Sequence, residues 1–189
     1  MQTSEIDVKK LKEQVKKANE AFNALSVKEQ RIWIIRDALK QIKNGKFIPT
    51  QGTYLEHVFD DENTDFTDKS LQVELVAAEE CECCAKGALF ASCVLNNNKV
   101  KTSINYTESP FIAKKLKKWF SSEELDMMEI AFEVDDEVGG STFYIKHPAL
   151  ADACLNFGDR FDSSEERLVE ILKNTLKYGQ FDPYCGKKP

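Results

Sequence analysis

Apolar residues recur along much of the chain at alternating spacings of three and four. Val8, Leu11, Val15, Ala18, Phe22 and Leu25 trace one narrow stripe and predict a helix over residues 5–25. Such a seam suits a coiled coil. It is under three heptads long, so packing on another helix of the same domain is favoured over pairing with a second chain. The homodimer that the pattern allows runs through this N-terminal helix. Ser26-Val27-Lys28-Glu29 has capping-box form, which opens a second helix whose apolar positions are Ile32, Ile35, Leu39 and Ile42, widened by Trp33 and Ala38. Gly45 suits the left-handed conformation past its end. Residues 1–45 therefore read as a helical hairpin.

The pattern then breaks. From Phe47 to Lys69, Pro49, Gly52 and a run of Asp, Glu, Asn and Thr favour turns and a solvated, mobile loop. Leu71 to Ala78 is short and apolar, with a lean towards helix. Cys83 to Leu95 reads as a buried central helix, whose Ala85, Gly87, Ala88, Ala91 and Ser92 allow another backbone to approach closely. Residues 99–106 alternate Val100, Thr102, Ile104 and Tyr106, and residues 141–146 hold Thr-Phe-Tyr-Ile, so the two segments predict one short β-hairpin. Ser109-Pro110, Ser121-Ser122-Glu123-Glu124, His147-Pro148 and Ser163-Ser164-Glu165-Glu166 each open a helix. The buried faces expected of the second and last of these hold Leu125, Met128, Ala131 and Phe132, and Leu168, Ile171, Leu172 and Thr175. Gly179 closes the last helix, and residues 183–189 form a frayed tail. The expected fold is mainly α: a multi-helix domain spanning 1–189.

Composition agrees with a folded domain, since Leu, Ile, Val and Phe make up about a quarter of the 189 residues. The longest uncharged apolar stretch, Gly87 to Leu95, is too short to span a bilayer. The polar start lacks the marks of a secretory signal, so a cytoplasmic protein with reduced thiols is expected. The net charge of −6 is unevenly spread, with 11 basic and 6 acidic residues in 1–50 against 3 basic and 10 acidic in 51–100. An acidic total argues against nucleic acid as the main partner.

Cys81, Cys83, Cys84 and Cys93 invite a zinc reading, and Cys81 and Cys84 have C-x₂-C spacing. No second pair follows, and Cys93 points away from Cys84 on a helix, so buried structural thiols are favoured and neither metal nor cofactor is assigned. A helix N-terminus near Cys81 or Cys83 would favour thiolate, but Glu79, Glu80 and Glu82 oppose it. His57 and His147 are lone histidines. Asp61, Asn63 and Asp65 start like a calcium loop, yet Phe66 and Gln72 stand where glycine and a bidentate Glu are needed. Asp135-Asp136-Glu137-Val138-Gly139-Gly140 reads as a solvated turn. No phosphate loop, nucleophile elbow, zincin helix or kinase set is present, so no common enzyme class is expected and no catalytic residue is assigned.

Cys84-Ala85-Lys86-Gly87-Ala88-Leu89, together with Gly45-Lys46-Phe47 and Gly52-Thr53-Tyr54, resembles a pattern in uncharacterised proteins of bacteria and their phages. The resemblance implies a helical core and a phage or bacterial setting, and it names no site. Two functions fit the whole reading. The first is an accessory protein that binds an unidentified protein partner and modulates a host system. Its contact surface would be the acidic loop 56–68 or the basic first hairpin. The contact residues expected are Glu56, His57, Asp60, Asp61 and Asp65, with a basic and aromatic patch at Lys114, Lys118 and Trp119. The second is a small-ligand or cysteine-dependent site beside the Gly87 helix.

Overall fold

Helix-forming periodicity and serine caps build most of the chain. The computed structural model describes residues 8–58, 70–97, 109–134 and 142–187, and these hold nine α-helices and one three-stranded sheet. The first hairpin is α1 (Val8–Asn23) and α2 (Val27–Lys43). At the start of α2 the Ser26 hydroxyl accepts the Glu29 N–H, while the Glu29 carboxylate accepts the Ser26 N–H at 2.8 Å. Two donors that a helix start leaves unpaired are thereby satisfied. Gly45 follows the end of α2 with φ of 72°. The seam of α1 is used inside the domain, with Phe22 fully buried.

Three strands follow, the first two where a loop was expected: β1 (Phe47–Pro49), β2 (Glu56–Val58) and, after α3 (Leu71–Ala77), β3 (Glu80–Cys83). The order is β1-β3-β2, with β1 parallel and β2 antiparallel to β3. Phe47 faces Cys81 across one ladder, and Glu56 faces Glu82 across the other. Glu80-Cys81-Glu82-Cys83 alternates polar and apolar, and the alternation is what the pleat needs: both cysteines are fully buried. The helix predicted from Cys83 thus begins two residues later, as α4 (Ala85–Asn97).

This α4 is the central element. It packs against α1, α2, α3 and the sheet, and also against α5 (Ser109–Leu116) and α6 (Ser122–Glu133). Its small residues matter because of one close approach. A Cβ on Gly87 would lie 1.5 Å from the Tyr54 carbonyl oxygen, so the backbone between β1 and β2 lies directly on the helix. The Cys84 N–H donates to Thr53 O at 2.6 Å in the same joint. Two of the stretches that carry the resemblance, 52–54 and 84–89, are thereby brought into contact.

The remaining helices are α7 (Thr142–Lys146), α8 (Pro148–Gly158) and α9 (Ser164–Tyr178). Residues 142–146 are helical, not the strand their β-prone composition suggested, and the partner segment 99–106 lies outside the described residues. Packing overrides propensity here, because the helical turn buries Phe143 against α8. Gly158 presses α8 onto α6, where a Cβ would come within 2.0 Å of Ala131 O. Ser121 and Ser163 cap α6 and α9 by accepting the N–H of Glu124 and Glu166, each at 3.1 Å. Glu124 does not reach back to complete its box. It is buried, and it forms a two-pronged ion pair with Arg31 at 2.5 and 3.0 Å while accepting the Phe181 N–H at 2.9 Å.

The end of the chain is also tied down rather than frayed as far as Lys187. Gly179 closes α9 at φ of 79°, Phe181 is buried, and Asn174 exchanges hydrogen bonds with the Asp182 backbone at 2.8 Å. The Tyr178 hydroxyl donates to Cys185 O. No helix among the described residues is long and apolar enough to cross a membrane.

Candidate functional site on the open face of the second helix

Ile34, Ile35, Ala38 and Ile42 turn one side of α2 into the core, where they are at most 4% exposed. At about 100° per residue, Trp33 lies roughly opposite Ile35 and Ile42. It is therefore a surface residue, 41% exposed, and not the core residue its type suggested. The exposed side of α2 lines a groove of about 520 Å³ together with Leu25 from the turn before it. Ile32 and Leu25 are half-buried there, and Glu29, Arg36 and Lys40 are exposed. Val27, 49% exposed, adds another apolar side chain at the start of the same helix.

The tryptophan is held from behind. Its indole N–H donates to Asn96 Oδ1 of α4 at 2.9 Å, and the Asn96 amide nitrogen donates in turn to Ser92 O at 2.7 Å and to Asp37 Oδ2 at 3.1 Å. Burial pushes the Asp37 carboxyl above its ordinary range, opposed by N–H donation from Gln41 and Asn96 and by the nearby Lys40 charge. A bonded chain from the central helix thus fixes the ring's direction before anything binds. Arg36 and Lys40 form no ion pair with a described residue. The face combines a fixed aromatic anchor, apolar flanks and charges of both signs.

The residues expected from sequence to make contacts fall in several places. Glu56 and His57 lie on β2, their backbones paired with Glu82 and Cys81. Asp60, Asp61 and Asp65 lie outside the described residues. Lys114 is exposed on α5. Lys118 and Trp119 are brought together, but by an internal joint: both donate to Gln30 Oε1, at 2.9 and 3.0 Å. Gln30 is buried and gives its own amide hydrogens to Phe22 O and Leu25 O, both at 3.1 Å. The Trp119 ring meets Phe22 edge-on, with centroids 5.9 Å apart. This pair locks the end of α5 onto the first hairpin.

The thiols are inward. Cys81, Cys83, Cys84, Cys93 and Cys154 are free and at most 1% exposed. Burial raises Cys81 from its ordinary 9.0 to about 11, and Cys84, Cys93 and Cys154 to about 12. Among the described residues no group of His, Cys, Asp and Glu is arranged to hold a metal ion. Cys84 immediately precedes α4, and hydrogen bonds from the Gly87 and Lys86 backbone lower it while Glu129 and Glu133 raise it. The room expected beside Gly87 is filled by the Tyr54 carbonyl.

Lys86 is a second buried charge, 3% exposed, and its ammonium reaches Glu129 at 2.5 Å and Asp126 at 3.0 Å on α6. Burial pulls it down, and the two carboxylates outweigh that and raise it. It joins α4 to α6.

No family model matches the chain, and neither a curated protein nor a solved structure matches it.

Proposed function

We propose that this chain is an accessory protein that acts by binding another protein through the open face of α2, the second half of the basic hairpin. One observation carries the reading: Trp33 is exposed, yet its indole N–H is anchored to Asn96 of the central helix. An aromatic side chain fixed before contact loses little entropy on binding, which is the property of an interface anchor. Leu25 and Ile32 supply apolar surface around it, and Glu29, Arg36 and Lys40 supply a charged rim. Buried thiols with raised pKa support this reading over cysteine catalysis, since the thiolate is the reactive form. The phage or bacterial setting and the cytoplasmic location belong to the same proposal.

The test is site-specific crosslinking in the native cell. A photoreactive residue at position 33 is expected to yield a discrete protein adduct, and one at Glu165, exposed on α9, is not. Adducts of equal yield from both positions, or from neither, would refute the assignment of this face.

A further inference from the structure

We infer that the α2 face docks on the same face of a second copy of this chain, in an antiparallel two-fold pairing. The inference rests on the protein-binding reading above and names its partner. A two-fold axis level with the midpoint of residues 34 and 35 sets positions of the two copies at matching heights on the groove: 29 opposite 40 and 33 opposite 36. Any helix face of this spacing is palindromic in geometry. What decides is the chemistry placed on it.

Under that pairing Glu29 meets Lys40 of the other copy, twice per dimer. The Glu29 carboxylate is prepared for this, because both hydrogen bonds from Ser26 fall on Oε2 and no described residue donates to Oε1. Lys40 is exposed and forms no ion pair with a described residue. Trp33 meets Arg36 of the other copy, again twice, and an exposed guanidinium over an indole face is a favourable contact. No described cation covers the Trp33 ring within one copy, whereas Phe120, Phe157 and Trp119 each carry one. Ile32 and Asp37 lie on opposite flanks of the face, and the Asp37 carboxylate is turned away to accept from Gln41 and Asn96. A parallel pairing would instead stack Glu29 on Glu29, Arg36 on Arg36 and Lys40 on Lys40. Charge therefore selects the antiparallel arrangement.

The contact is modest in size. α2 has 17 residues and so is about 26 Å long, which puts the pair at the low end of specific interfaces. A reversible dimer with micromolar or weaker dissociation is expected, not an obligate one.

Sedimentation equilibrium from low micromolar to near-millimolar concentration tests it. The wild-type chain is expected to show a monomer–dimer equilibrium. Lys40→Glu, whose side chain makes no hydrogen bond to a described residue and whose fold circular dichroism checks, should weaken it about tenfold or more, because two like-charge contacts replace two ion pairs. Mixing Lys40→Glu with Glu29→Lys should restore a heterodimer, since each partner then offers the sign the other needs. Glu29→Lys also removes the cap carboxylate. Circular dichroism verifies its fold, and Lys40→Glu alone decides the matter if that variant fails. A dimer unchanged by Lys40→Glu would overturn the inference by assigning dimerisation to another face. A monomer at every concentration would overturn it too. In that case a crosslink from position 33 to a different protein would leave the broader binding reading standing, and no crosslink would remove both.

Discussion

Replacing Gly87 by alanine adds a single methyl group at the most crowded backbone contact in the fold. A Cβ there would lie 1.5 Å from Tyr54 O, 2.7 Å from Tyr54 C and 3.1 Å from the Cys83 side chain. Carbon and oxygen approach to about 3.3 Å at closest, so helix and loop must separate by roughly 1.8 Å. The helix has nowhere to retreat, because every residue from Ala85 to Val94 is buried. The loop must move instead, and the Cys84 N–H to Thr53 O bond goes with it. Alanine regains about 1 kcal/mol of helix propensity. Against that stand about 1–3 kcal/mol for overpacking, or more at an overlap this deep, and about 1 kcal/mol for the hydrogen bond. The net expectation is a loss of about 3 kcal/mol, or roughly 6–12 °C in Tm for a chain of this length. Urea unfolding followed by far-UV circular dichroism measures it. Gly45→Ala is the control, because it has nothing within 4 Å and only its φ of +72° to lose, a cost of about 1 kcal/mol. A Gly87→Ala midpoint at or above wild type would refute the placement of the Tyr54 backbone on α4.

Other consequences follow from the buried charges and thiols. Glu124→Ala strands the Arg31 guanidinium, whose side chain is 15% exposed, and leaves the Phe181 N–H unpaired, so urea unfolding should show a loss of about 3–5 kcal/mol. Around Lys86 the two directions should differ: Asp126→Asn with Glu129→Gln leaves a buried ammonium, whereas Lys86→Met leaves carboxylates that are 42% and 23% exposed. The first should therefore be the more destabilising by the same assay, and the reverse order would contradict the burial of Lys86. Native thiol titration should find Cys185 reactive and the other five protected until denaturant is added. Because the unfolded thiols release protons near pH 9 and the folded ones near 11–12, stability present below pH 9 should fall steadily between pH 9 and 12. A flat alkaline profile would show that those thiols are exposed.

The helices were legible because their signals are local. Ser26, Ser121, Ser163, Gly45 and Gly179 mark helix ends, and a repeat near 3.6 marks their buried faces. The sheet was obscured for the opposite reason. Its strands are three or four residues long and pair across 22 to 34 positions, and in Glu80-Cys81-Glu82-Cys83 the cysteines drew attention to metal chemistry instead of to alternation. Residues 142–146 misled in the other direction, since the burial of Phe143 by α8 outweighs the β preference of Thr, Phe, Tyr and Ile. Trp33 was hidden by its own type. A tryptophan in a helix reads as core, although its angle to Ile35 and Ile42 already set it on the outside. Its anchor, Asn96, lies 63 positions further on, and no periodicity connects the two. Lys118 and Trp119 stood out as a contact patch through composition, and only the fold brings the buried Gln30 between them.

The role of the α2 face comes down to whether Trp33 becomes covered. In a Trp119→Phe background Trp33 is the one remaining indole, so its emission and its access to acrylamide report on that face alone. A blue shift and a loss of quencher access are expected as protein concentration rises, both reversed by Lys40→Glu. A red-shifted, freely quenched emission at every concentration, in the pure chain and in native extract alike, would contradict that expectation.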